Sequence, residues 1–494
     1  MPKVTFIPND PLASGGPANR QVTGARFPRG DIATLDVRPP AAPDTYDQFT
    51  SEFDFWQAQI GLIAGLKTWK DLDGRFLARW FGDQKVLPVF TNSGDDLNAF
   101  YDRASLQFFA HTFDGVTVHS AESTDVVTHE QGHAFLDAIR PDFFDVPFIE
   151  VGSLHEAFGD CVAILTALND APTRSAVLAA SPDMSANQFL ESVAEQLGDA
   201  IRREFGPDTV DAGALRHALN TFRWVDPTTL PAFAPAPELS GEVHSFSRVF
   251  TGAFYDVIRN IFLGGPRNSN GLRKAGRTAG RLLVSAIRTV PAAPRTFEGV
   301  GQRMVQADIA TNNGVNATAI QDAFAAHDIV LPAPSASMTV PLPARRRRGA
   351  ADPLRERLAV PPDARLEMTP VETDLHGQIT HVAAFRPLQL AGDGLEGVRI
   401  MVPGVARVAR RGRSVTGVIG EVTPSTGQVA DEARAFARTL VASGELRTAP
   451  RAARRMAGRR MAAPPQPAPR QPHRATHEIQ VLDGEPTIRR LGFE

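Results

Sequence analysis

The chain has 494 residues, 43% of them hydrophobic and 22% charged, with a formal net charge of −3. That length allows two or three domains around at least one large core, and the small net charge excludes a global attraction to nucleic acid or to an anionic membrane. A single cysteine, Cys161, excludes a disulfide framework within the chain.

The N-terminus, MPKVTFIPNDPLASGG, lacks the continuous apolar core of a signal peptide, and no apolar run is long enough to span a bilayer. A soluble chain is expected, with no membrane partner, cytoplasmic rather than secreted; export without a cleavable leader stays open. Residues 1–45 are rich in Pro, Gly and Arg with little periodicity and read as an irregular arm. From Tyr46 to Val330 the pattern is that of a folded domain. Phe53–Gly74 has helical apolar spacing, and four short alternating runs follow, Lys85–Phe90, Asn98–Asp102, Leu106–His111 and Gly115–Ser120. These predict an antiparallel sheet. Beyond residue 125 the chain reads as mostly helical to about Ile329, so an α+β fold with a strand-rich half before a helical half is expected, and a cleft between such halves is a common place for a site.

Residues 331–352 form a Pro/Arg linker, in which Arg345–Arg348 is read as a solvated charge run rather than a nucleic-acid patch. Residues 353–446 carry strand-like runs and one amphipathic helix, Asp431–Ser443, and predict a small α+β module. A second Arg/Pro tract, 447–476, precedes a strand-like tail at 477–494 that can dock back as a hairpin.

Chemistry concentrates at DVVTHEQGHAFLDAI, residues 125–139. On a helix, His129 and His133 project from one face a turn apart, close enough to bind one metal ion, and Val126, Val127, Phe135, Leu136 and Ile139 predict that this helix is buried. A His-acid-x-x-His pattern arises by chance only about 0.03 times in a chain of this composition. Zinc accepts imidazole nitrogen, and a catalytic zinc site needs three protein ligands and an open position. The segment VGSLHEAFGDCVAIL, residues 151–165, offers Glu156 as the third ligand on a second helix capped by Ser153. Asp160, one turn beyond, can accept the free ring N–H of a ligand histidine. His155 points to another face and reads as structural, Cys161 as a core residue, and Asp125 as either a helix-start charge or a metal ligand.

The pair DVVTHEQGHA and GSLHEAFGD resembles the zinc helices of the thermolysin-like metallopeptidases of the gluzincin group. Three further segments are similar to that family's. LNAFYD looks like its substrate-aligning edge strand, which implies that Asn98 and Ala99 hold a peptide backbone. GEVHSFSRVFTGAFYDVI looks like the segment bearing its transition-state histidine, which implies His244. ALRHALN is similar to its arginine segment and suggests that Arg216 contacts a substrate carbonyl, against the bland reading of a surface salt bridge on a helix. The resemblance covers roughly 46–330 and implies a two-lobed zinc endopeptidase acting on peptides or proteins, with Glu130 as general base. It also departs from the family. Phe143 and Phe144 stand where a tyrosine is usual, and the acidic residues for calcium are thin beyond Asp125 and Asp170, so a double Ca2+ site is not expected. The alternative reading is a zinc-containing scaffold or binding protein with a weak or inactive peptidase site.

Overall fold

The first 45 residues, expected to be an irregular arm, contain three short strands. In the computed structural model, which describes residues 3–13, 16, 19–23, 34–76, 79–332, 340–341, 365–374, 377–411, 414–422, 426–448 and 475–494, β1 (Lys3–Phe6) pairs antiparallel with β2 (Arg20–Thr23). A third strand, β3 (Thr34–Arg38), buries Leu35 and Val37. The Arg345–Arg348 run and most of the 447–476 tract lie outside the described residues.

Helix α1 (Ser51–Leu72) begins where the Thr50 side chain accepts from the Phe53 amide, with Glu52 and Asp54 in its first turn, where acids complement the helix dipole. Its buried residues include Trp56, Leu62, Leu66 and Trp69. The chain then enters β4 (Val86–Phe90), β5 (Ala99–Tyr101) and β6 (Leu106–Phe108). The sheet order is β3-β4-β6-β5, so β5 lies at an edge. It is mixed rather than antiparallel as predicted: β3 runs parallel to β4 and β4 parallel to β6, with only β5 antiparallel to β6. The reason is the N-terminal arm, which supplies β3, followed by α1 as a crossover that returns the chain in the same direction. A separate hairpin, β7 (Ala110–Phe113) with β8 (Val116–His119), turns at Asp114-Gly115, both in the positive-φ region that such tight turns require.

Helices α2 (Thr124–Ile139) and α3 (Ile149–Ala167) cross at two glycines. A Cβ on Gly132 would sit 2.8 Å from the Gly159 Cα, and one on Gly159 would meet the His129 ring at 2.7 Å. Only hydrogen at these positions lets the helices approach this closely. Phe135 of α2 stacks on Trp69 and Trp80, which fixes α2 to α1. Next come α4 (Ala171–Ala180), β9 (Ser192–Val193), α5 (Glu195–Phe205) and β10 (Arg216–His217), the two strands pairing antiparallel. Helices α6 (Val243–Leu263), α7 (Ser269–Thr289), α8 (Thr296–Asn312) and α9 (Ala317–Ala326) complete the helical portion expected up to about residue 329. Among the described residues no single helix is long and apolar enough to cross a membrane.

The remaining chain builds a sheet from β11 (Val340–Pro341), β12 (Arg365–Asp374), β13 (Gly377–Gln389), β14 (Arg399–Arg411) and β15 (Ser414–Val422), then α10 (Thr426–Ser443) and β16 (Leu446–Thr448). β17 (His477–Leu482) and β18 (Glu485–Arg490) form the expected hairpin, turning at Asp483-Gly484, and join the same sheet. The whole is a mixed α+β fold. After β18 the last residues reach the free edge of β5, where Phe493 and Tyr101 exchange both backbone hydrogen bonds at 2.9 Å.

Candidate metal centre

The two histidines sit on one face of α2 because they are one turn apart, and the crossing at Gly159 brings them against α3. The Nε2 atom of His129 lies 3.4 Å from Glu156 Oε2, and that of His133 lies 3.7 Å from Glu156 Oε1. A carboxylate oxygen of Glu130 lies within 4.8 Å of a ring nitrogen of each histidine. Ligands on a tetrahedral ion at about 2.0–2.1 Å stand about 3.3–3.4 Å apart, close to the His129–Glu156 separation, and the group of His129, Glu130 and His133 could itself hold a metal ion. The polar atoms also ask for one. His129 Nε2, His133 Nε2, both Glu156 carboxylate oxygens and Glu130 Oε2 are buried without a hydrogen-bond partner. A buried polar atom left so costs on the order of 1–3 kcal/mol, and five on four neighbouring residues mark a candidate place for a ligand.

Behind the first histidine, Asp160 accepts from His129 Nδ1 at 2.9 Å, as the sequence predicts. It also accepts from Arg216 Nη2 at 2.9 Å, Arg216 Nε at 3.2 Å and Thr251 Oγ1 at 3.0 Å. Burial pushes the Asp160 carboxyl up, but the Arg216 guanidinium and the His129 hydrogen bond outweigh it and hold the group well below the usual carboxylate range. Arg216 is corrected on two counts. It stands on β10 rather than a helix, and it is 5% exposed, with its guanidinium committed to Asp160. It therefore positions the aspartate that orients His129.

Behind the second histidine stands a residue that sequence reasoning assigned to structure alone. His133 Nδ1 and His155 Nδ1 share a hydrogen bond at 2.8 Å. Burial first of all holds both rings well below the usual histidine value, so both are neutral, and a cation on His133 Nε2 would make its Nδ1 the donor and His155 the acceptor. The only sequence signal was its place next to Glu156.

His244 stands at the start of α6, where Glu242 caps the helix by accepting from the His244 and Ser245 amides. The same carboxylate accepts from His244 Nδ1 at 2.7 Å. That leaves Nε2 facing inward, 3.3 Å from Glu156 Oε2. Burial disfavours the imidazolium, but Glu156 and Glu242 outweigh it and raise His244 well above the usual histidine value. Glu130, also buried, is raised to about 8, chiefly by desolvation, with His129 pulling it down and Glu156 pushing it up.

Asn98 and Ala99 lie at the head of edge strand β5, joined by a 2.7 Å bond from the Ala99 amide to the Asn98 side-chain oxygen Oδ1. The strand is tied to α2 by Tyr101, whose hydroxyl donates to Asp137 at 2.9 Å, and by Arg103, which bonds the same carboxylate. Phe143 and Phe144 are both buried, the first under the Arg140 guanidinium and the second under that of Arg103. Each tyrosine hydroxyl is engaged away from the centre: Tyr46 with Ala42, Tyr101 with Asp137, and Tyr255 with Met184 and Gln188.

Asp125 does not face the histidines. Its carboxylate accepts from Asn9 Nδ2 and lies in a buried acidic group with Asp10 and Glu195, whose carboxyls are all raised, first by burial, with Asp10 raising the other two and Asp125 also raising Glu195. A second His/Asp/Glu group, Asp54, His119 and Glu122, has the spacing of a metal site. There, however, His119 already bonds Asp54, and Glu122 accepts from the Phe49 amide and Gln48. No protein-family model matches this chain, and no curated protein matches it.

Proposed function

We propose that the chain is a zinc-dependent endopeptidase with a thermolysin-like two-lobed site, in which His129, His133 and Glu156 hold the ion. The observation that carries this reading is the group of five buried atoms without a hydrogen bond on His129, His133, Glu156 and Glu130, with Asp160 hydrogen-bonded to the first histidine and His155 to the second. Imidazoles held by outer acceptors suit zinc. When bound, zinc supplies a Lewis acid for the scissile carbonyl and lowers the pKa of a bound water.

The chain's own residues do the rest. Glu130, buried beside the ligands, takes a proton from the attacking water and returns it to the leaving amine. His244, held by Glu242 with Nε2 inward, donates to the carbonyl oxygen as negative charge develops there. The free edge of β5, with Asn98 and Ala99, holds an extended peptide by backbone pairing, which selects unfolded or loop segments over folded ones. No tyrosine assists the oxyanion, so His244 carries a larger share of that stabilisation.

Glu130→Gln tests this directly. The variant keeps the three ligands and is expected to bind zinc with wild-type affinity while peptide hydrolysis falls about 10²–10⁴-fold. Wild type and variant showing the same metal-independent behaviour on a casein or peptide substrate would leave the scaffold reading in its place.

A further inference from the structure

The cleft beside the metal centre is filled by the chain's own last residues. Phe493 pairs antiparallel with Tyr101 on the open edge of β5, both bonds at 2.9 Å. The Glu494 carbonyl oxygen accepts from His244 Nε2 at 3.1 Å, and the Glu494 side chain is hydrogen-bonded by Asn98. The ring of Phe493 is 1% exposed and stacks on His155, with ring centroids 3.7 Å apart. It lies against His133 and Phe144, and Arg490 covers it at 3.9 Å. Gly492 passes so close to the strand that a Cβ there would sit 2.7 Å from the Tyr101 carbonyl oxygen.

These contacts fall on the groups given substrate roles above: the edge strand, Asn98 and His244. The segment is extended, and one of its carbonyl oxygens is hydrogen-bonded by the histidine beside Glu156, where a reacting carbonyl belongs. We infer that Leu491–Glu494 is an intramolecular pseudosubstrate, bound as the acyl-side half of a peptide, which blocks the cleft until it is displaced. The inference deepens the peptidase reading and rests on it for the word substrate. It also names the substrate class: an extended peptide with an aromatic side chain one residue before the one whose carbonyl is attacked, seated between His155 and Phe144. A tethered ligand is present at an effective concentration of up to about millimolar, so a free peptide of similar affinity competes poorly with it.

Two single substitutions in the full chain test this without touching the metal ligands or Glu130. Gly492→Ala drives a methyl into the Tyr101 carbonyl, and Phe493→Ala removes the seated ring. Binding of a labelled peptide, Arg-Leu-Gly-Phe-Glu, is measured by fluorescence anisotropy on the metal-free protein, alongside hydrolysis of an unrelated Phe-containing peptide by the zinc-loaded protein. Both variants are expected to bind the labelled peptide about tenfold or more tightly than wild type. Hydrolysis is expected to rise by a similar factor. Equal peptide binding by wild type and both variants overturns the inference, whatever hydrolysis shows. Tighter binding by the variants with no hydrolysis by any of the three proteins keeps the occupied cleft and overturns the peptidase reading instead.

Discussion

Asp160→Asn isolates the outer support of the metal centre. The carboxylate accepts four hydrogen bonds: His129 Nδ1 and Arg216 Nη2 on one oxygen, and Arg216 Nε and Thr251 Oγ1 on the other. An amide offers only one acceptor oxygen, so two of these donors lose their partner, at about 1.5–3 kcal/mol each for bonds to a charged group. The sum agrees with the roughly 3–5 kcal/mol cost of breaking a buried ion pair, because Arg216 is left charged and 5% exposed. The metal-free variant should therefore be destabilised by that order. Its zinc affinity, measured by chelator competition, should fall about 10–100-fold as His129 loses the anion that orients its ring. Adding Arg216→Met removes the stranded charge, so the double variant should regain much of the thermal stability but not the affinity. If Asp160→Asn binds zinc as tightly as wild type, or if the double variant recovers affinity along with stability, Asp160 does not orient the ligand histidine.

His155→Phe keeps a ring for Phe493 to stack on but removes the acceptor for His133 Nδ1, so zinc affinity should drop about 10–100-fold with little change in melting temperature; unchanged affinity would show the contact to be packing alone. A pH effect is expected where α10 meets α3. Glu150 and Glu432 are raised to about 7 and about 8, first by burial, with each also raised by the like charge nearby or, for Glu432, by Glu150 itself. Folded-state values above the unfolded ones mean that their stabilising contribution is complete below about pH 4.5 and is lost as pH rises through 7–8. Melting temperature should decline from about pH 5 to about pH 8 and level off above that, and Glu432→Gln should flatten the decline; identical profiles for the two proteins would count against this assignment.

The helix carrying His129 and His133 and the helix carrying Glu156 and Asp160 were legible in the sequence because a helix repeats every turn. Spacing alone puts i and i+4 on one face. The strand segments were legible too, but not their directions, since β3 reaches its place through a crossover that no local pattern encodes. Arg216 was misplaced for the same reason: two residues of strand carry no readable period, and its partner Asp160 lies 56 residues away. Glu242 was passed over because its capping and orienting roles depend on where His244 turns inward.

What the sequence determined by itself is therefore the set of donor atoms and the helices that present them, since both follow from short-range geometry. What only the tertiary structure decided is which acceptor stands behind each histidine and what lies in front of them. His155 serves His133 only because two helices cross at a pair of glycines. Glu494 meets His244 across 250 residues only because the hairpin of β17 and β18 delivers the last residues to an open strand edge. Contacts of that range are set by packing of the whole chain, and no window of neighbouring residues contains them.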